Sequence, residues 1–134
     1  MLQKINHIGI AVQSLDAIIP FYRDSLGMSL LGIEEVAEQK VRVAMLQIGE
    51  SKIELLEPMA EDSPIARFLE KNGPGIHHLA YEVEDIEAAI ARLLATGARM
   101  IDEAPRNGAH GTRIAFVHPK SSNGVLTELC EPGH

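Results

Sequence analysis

Tryptophan is absent from this 134-residue chain, which carries only two tyrosines and three phenylalanines. Extensive base-stacking surfaces are excluded by that scarcity. Basic charge is also in short supply: the formal net charge is −7 at pH 7, so there is no stripe of lysine and arginine to neutralise a phosphate backbone. A nucleic-acid partner is therefore not expected. Acidity of the whole does not exclude a small anionic ligand, because local fields can oppose net charge. The lone cysteine, Cys130, cannot form an internal disulfide and reads as a small buried hydrophobe in a strand. No apolar run approaches the ~18 residues of a membrane span, and no basic–apolar–small leader opens the chain. The expected compartment is the cytoplasm, with no membrane partner. Glycine-rich phosphate loops of the GxGxxG and GxxxxGK[ST] kinds are missing as well.

What remains is ordinary globular composition, 46% hydrophobic and 23% charged. A core can be built from it without disulfides or a structural metal. "KINHIGIAV" (4–12) alternates as a strand with Ile5, His7, Gly9 and Ala11 on one face. "SLDAIIPFYRDSLG" (14–27) predicts a helix capped by Ser14, stopped by Gly27 and kinked at Pro20. The runs "MSLLGIEEV", "VRVAMLQIG" and "SKIELLEP" read as three strands, the last two joined by a turn at 48–51. A connecting segment, 59–74, holds a short helix that begins at Ser63–Pro64 and stops at Gly73–Pro74–Gly75.

The order then repeats. "GIHHLAYEV" (75–83) is a strand and "EDIEAAIARLLATG" a helix. "ARMIDEA", "RIAFVH" and "GVLTELCEP" are three further strand-like runs. "INHIGIAV" overlies "IHHLAYEV", and "IELLEP" overlies "TELCEP", at offsets of 71 and 74 residues. The chain therefore reads as one α+β domain over 1–134. Two tandem βαβββ modules, about 3–58 and about 75–132, flank the connector at 59–74.

The duplication pairs His7 with His78 and Glu54 with Glu128. Neighbouring strand residues face opposite sides, so His77 and His78 cannot share a site, and the repeat selects His78. One strand histidine is ordinarily a hydrogen-bonded core or surface group, and one strand glutamate a solvated carboxylate. Two imidazoles and two carboxylates at symmetry-related positions are more simply explained by a divalent ion such as Co²⁺, Mn²⁺, Ni²⁺, Zn²⁺ or Mg²⁺. Buried carboxylates with no cation would be costly. Elsewhere, "GAHG" (108–111) reads as a glycine-rich turn or a loop over a site, and "HPKSSNG" (118–124) as a strand-ending turn whose Lys120 could meet an anion. The terminal His134 is expected to be disordered.

At these residues the chain resembles the vicinal oxygen chelate (glyoxalase) superfamily and, within it, the methylmalonyl-CoA epimerases. "NHIGIAVQSLDAIIPFYRDSLG" is generic to the superfamily, whereas "DSPIARFLEKNGPGIHH" and "GAHG…HPK…GVLTEL" are more particular to the epimerases. The resemblance implies paired βαβββ modules forming a cupped, barrel-like mixed sheet with helices outside. It also implies one divalent ion, Co²⁺ foremost, held by His7, Glu54, His78 and Glu128. The implied reaction interconverts (R)- and (S)-methylmalonyl-CoA by moving the α-proton through a metal-stabilised enolate. Glu128 and Glu54 are the candidate catalytic proton carriers. Val43 stands where some epimerases place a second catalytic glutamate. Lys120 and Arg113 are candidate contacts for the coenzyme A phosphates, and a homodimer is implied by family habit. The alternatives are a lactoylglutathione lyase, which uses a similar ligand set, and a non-enzymatic ligand-binding member, which commonly lacks the metal set.

Overall fold

The computed structural model describes residues 1–133. His134, and with it the expectation of a disordered terminus, lies outside the described residues. Among the described residues, eight strands and three α-helices follow the order of two βαβββ modules with a helical connector between them. The strands are β1 (Leu2–Ala11), β2 (Ser29–Val36), β3 (Val41–Ile48), β4 (Ser51–Pro58), β5 (Gly75–Val83), β6 (Arg106–Asn107), β7 (Arg113–Val117) and β8 (Thr127–Glu131). The helices are α1 (Leu15–Pro20), α2 (Pro64–Asn72) and α3 (Ile86–Ala95).

By compactness the chain divides into His7–His77 and a second unit made of Met1–Asn6 with the chain from His78 onward. In the first unit the strand order is β2-β3-β4-β1; β4 and β1 are parallel and the other neighbours antiparallel. In the second it is β5-β8-β7-β6, again with one parallel pair, β5 and β8. In each unit one helix, α1 or α3, packs on one face of the strands. Leu15 and Ile19 of α1 pack with Ala44, Leu46 and Leu55. Ile86, Ala89 and Ile90 of α3 pack with Val83, Ala115, Val117 and Leu129. Strand alternation then turns Glu54 and Glu128, the neighbours of Leu55 and Leu129, to the face opposite α1 in the first unit and α3 in the second.

The helices start as their sequences dictate. Ser14, Ser63 and Asp85 each accept a hydrogen bond from a backbone N–H three residues on, at Ala17, Ala66 and Ala88. The helix expected over 14–27 changes character at Pro20, where α1 gives way to a π-helical turn, Phe21–Ser25. Proline has no N–H to donate and its ring crowds the preceding turn, so the ladder resumes one residue wider, with Leu26 N–H on Phe21 O at 2.9 Å.

The strand expected at "ARMIDEA" is not formed. Only Met100 makes an isolated bridge, to Val117, and β6 begins later, at Arg106. The N–H groups of Ile101 and Asp102 both donate to Phe116 O, and the Asp102 carboxylate accepts the Phe116 N–H. Two residues thus answer to one on β7, which breaks the ladder, and Pro105 cannot donate to restart it. β8 also begins later than expected, because Asn123 and Gly124 hold positive φ (58° and 97°) in the preceding turn. "GAHG" folds as a 3₁₀ turn, Ala109–Gly111, with His110 at φ 58°.

Candidate metal centre

Among the described residues, the buried polar or charged side chains are Asn6, His7, Glu54, Ser63, His78 and Glu128. Two of them serve the fold. Ser63 caps α2, and the Asn6 amide donates to Glu82 Oε1 at 2.9 Å. The other four are two histidine–glutamate pairs, one in each unit.

In the His7–His77 unit, Glu54 on β4 lies opposite Gly9 of β1, two residues beyond His7. His7 Nδ1 is 3.2 Å from Glu54 Oε2. In the other unit, Glu128 on β8 lies opposite Ala80 of β5, two residues beyond His78, and His78 Nε2 is 3.3 Å from Glu128 Oε1. The register is the same in both parallel strand pairs, so the sequence repeat is a repeat of geometry. Phe116, opposite Glu128 on β7, sets its ring edge-on to the His78 imidazole at 5.6 Å between centroids.

Burial sets the protonation of the first pair. Desolvation, followed by the Lys52 charge, lowers the His7 pKa to about 3, so its imidazole is neutral at pH 7 and keeps a nitrogen lone pair. Desolvation pushes Glu54 up to about 7, with Lys52 opposing the rise and Glu34 adding to it. A neutral imidazole beside a carboxyl that resists ionisation is a donor set a divalent cation would stabilise. By donor chemistry, the histidine–glutamate groups fit such an ion.

His77 takes the other course. It stands edge-on to Phe68 of α2, 5.0 Å between centroids, and desolvation lowers its pKa to about 4. It packs against the connecting helix, as its strand parity requires. Val43 lies on the Glu54 face of the sheet, between Glu34 and Leu56 in the cross-strand register. Arg113 lies on the α3 face, where it donates to Glu87 Oε1 at 2.6 Å and Glu131 Oε1 at 3.2 Å. Glu131 also accepts the Ile86 N–H, so Arg113 helps to anchor the start of α3. Its guanidinium is committed there, on the opposite side of β7 from Phe116. Lys120 lies in the exposed turn after β7, its N–H donating to His118 Nδ1. Lys52 and Glu34 were missed by sequence reasoning. Lys52 sits opposite His7 and two residues before Glu54, a signal that strand alternation alone could have supplied.

Residues 6–116 match the family described as the glyoxalase/bleomycin resistance protein/dioxygenase superfamily. The ethylmalonyl-CoA/methylmalonyl-CoA epimerase of Cereibacter sphaeroides is 47% identical over 131 residues, covering 96% of this chain and 98% of that protein. The crystal structure of methylmalonyl-CoA epimerase from Mycobacterium tuberculosis superposes with a TM-score of 0.96 at 43% identity, covering 99% of this chain and 90% of that one. A methylmalonyl-CoA epimerase solved in complex with methylmalonyl-CoA and NH4⁺ gives a TM-score of 0.95 at 44% identity, covering 98% and 96%. A lactoylglutathione lyase from Haemophilus influenzae also matches, at a lower 34% identity over 96% of this chain and 92% of that one. With the match covering well over half of the chain, the chain belongs to the glyoxalase/bleomycin resistance protein/dioxygenase superfamily.

Proposed function

We propose that the protein is a metal-dependent methylmalonyl-CoA epimerase and that His7, Glu54, His78 and Glu128 hold one divalent ion between them. The observation that carries this reading is the equal register of the two buried pairs, each a histidine two residues before the strand partner of a glutamate. Near-full-length likeness to proteins named as epimerases supports the substrate.

A thioester α-hydrogen is weakly acidic, so its removal needs stabilisation of the negative charge that develops on the carbonyl oxygen. The divalent ion, when bound, supplies that stabilisation as a Lewis acid. Glu128 takes the α-proton or returns it, and Glu54 is the candidate for the opposite role. Burial of both carboxylates excludes water that would otherwise solvate and weaken them as bases. The buried Val43 brings no ionisable group to the Glu54 face, so the second proton carrier is sought among Glu54 and its neighbours. The same reading takes the protein as a cytoplasmic homodimer.

The decisive experiment is epimerisation of methylmalonyl-CoA by chelator-treated protein with Co²⁺, Mn²⁺, Ni²⁺, Zn²⁺ or Mg²⁺ added back singly. Activity restored by one or more ions, Co²⁺ first among them, is the expected result. Turnover of the methylglyoxal–glutathione adduct with no epimerisation would replace the reading with lactoylglutathione lyase. Stoichiometric metal in the purified protein would count against a purely ligand-binding role.

A further inference from the structure

Phe116 is held from three directions, two of them through its own backbone. Its N–H donates to Asp102 Oδ2 at 2.9 Å, and its carbonyl accepts the N–H groups of Ile101 and Asp102 at 2.9 and 3.2 Å. Both polar groups therefore point away from β8. Phe116 and Glu128, which are direct partners, thus form a non-hydrogen-bonded antiparallel pair, the kind in which facing side chains approach most closely. The third hold is on the ring. The Arg106 guanidinium carbon stands 5.4 Å from the ring centroid, and Arg106 Nε lies 3.4 Å from the same Asp102 Oδ2 that takes the Phe116 N–H.

Arg106 is an exposed residue and Phe116 a buried one. A surface arginine ordinarily extends into water, but here one carboxylate turns the guanidinium back over an apolar ring, where the ring quadrupole attracts it. The carboxylate is in place because the chain leaves the β7 ladder at Ile101 and Asp102, and such irregularities re-aim side chains next to functional sites. The clamped ring meets the His78 imidazole at 87°, with 5.6 Å between centroids, and His78 Nε2 is 3.3 Å from Glu128 Oε1. One ring therefore stands against both members of a buried histidine–glutamate pair. An imidazole turns about two side-chain bonds, and a packed neighbour is what fixes the second.

We infer that Asp102 and Arg106 are positioning residues for His78 and Glu128, acting through Phe116. Asp102 fixes the Phe116 backbone and the guanidinium, the guanidinium fixes the ring, and the ring fixes the plane of the imidazole. The inference rests on the metal-centre reading for its purpose, though not for the hold on His78. A ligand side chain already oriented loses less freedom when an ion binds, so the clamp raises affinity without touching the ion.

The test uses the full chain with Arg106→Gln, Arg106→Lys, Asp102→Asn and Phe116→Leu, and with Arg106→Gln combined with Phe116→Leu. In metal-free, nitrogen-15-labelled protein, Arg106→Gln should shift and broaden the ring resonances of His78, while those of His77, on the other face of β5, stay in place. Co²⁺ titration followed by visible absorption should show affinity lower by about three- to tenfold. Arg106→Lys keeps a cation over the ring and should recover part of the loss. Asp102→Asn keeps an acceptor for the Phe116 N–H but no charge for Arg106, and should act in the same direction as Arg106→Gln. In the Phe116→Leu background Arg106→Gln should have no further effect, because the ring that carries it is gone. In turnover at saturating Co²⁺, kcat for methylmalonyl-CoA should fall while KM holds. Unchanged His78 resonances in Arg106→Gln would overturn the clamp, as would an equal loss of affinity in the Phe116→Leu background. If the parent takes up no Co²⁺, the metal reading falls and the His78 resonances alone decide the clamp. If it takes up Co²⁺ without epimerising methylmalonyl-CoA, the substrate assignment falls and the clamp is decided by resonances and affinity together.

Discussion

Glu54 sits 3.2 Å from His7 across two parallel strands, and the two are displaced in opposite senses from their ordinary protonation. His7 is lowered to about 3 and Glu54 raised to about 7, both chiefly by desolvation. Burial holds both in the neutral state; the proposed cation would keep the imidazole neutral and displace the proton from the carboxyl.

The stability of metal-free protein should record this. Between pH 3 and 6.5 the folded state binds fewer protons at His7 than the unfolded state, so that group adds stability as pH rises. Between pH 4.5 and 7 the folded state binds more protons at Glu54, so that group removes stability over the same direction. The two contributions oppose each other across most of the acid range. Glu54→Gln deletes only the second. In chelator-treated protein the variant should equal the parent below pH 4.5 and exceed it at pH 7, by on the order of 2–3 kcal/mol. Urea denaturation at a series of pH values measures this, and a variant less stable than the parent at pH 7 without metal would contradict it. With saturating metal the order should reverse, because the parent alone keeps the charged ligand.

Glu128→Gln tests the proposed proton carrier. The amide keeps nearly the same volume and cannot take a proton from carbon at neutral pH. Exchange of the substrate α-hydrogen with deuterated solvent should fall by about 10²–10⁴-fold, the range expected for loss of a positioned acid–base group. Mass spectrometry of the recovered thioester reads the exchange directly. Undiminished deuterium uptake would remove Glu128 from the mechanism.

Much of the geometry of the two histidine–glutamate pairs was legible in the sequence because strands have a period of two. His7 and His78, or Glu54 and Glu128, can be recognised as counterparts from local alignment alone, and parity separates His78 from His77. The packing of His77 against Phe68 follows from the same rule. Lost to the sequence were features decided by hydrogen bonds between distant residues. Asp102 capping the Phe116 N–H dissolves an apparent strand, although "ARMIDEA" has strand-like alternation. Pro20 announced an irregularity without saying that the helix would widen to a π turn. Arg113 and Lys120 looked alike as nearby cations, and only the placement of Glu87 and Glu131 tells them apart.

Glu34 shares the Glu54 face through the register Glu34–Val43–Leu56, and its charge raises the Glu54 pKa. Glu34→Gln should therefore lower the Glu54 pKa in metal-free protein, since the repulsion that penalised the carboxylate is gone. Its neighbour Glu35 faces the other way, 3.8 Å from Arg42, and Glu35→Gln should leave Glu54 where it is. Carbon-13 titration of labelled glutamate side chains distinguishes the two. A Glu54 titration curve that is the same in all three proteins would show that Glu34 does not act on the centre.

Arg113→Ala separates anchoring from substrate binding. The guanidinium bridges Glu87 on the first turn of α3 and Glu131 at the end of β8, and Glu131 in turn receives the Ile86 N–H. Removing it should loosen the start of α3 and lower the thermal midpoint modestly, because exposed ion pairs contribute little. High salt should narrow the gap between variant and parent by screening the same pairs. KM for methylmalonyl-CoA should not change. A raised KM with an unaltered thermal midpoint would make Arg113 a contact for the coenzyme A phosphates, because a residue that only anchors α3 cannot weaken binding while leaving the fold untouched.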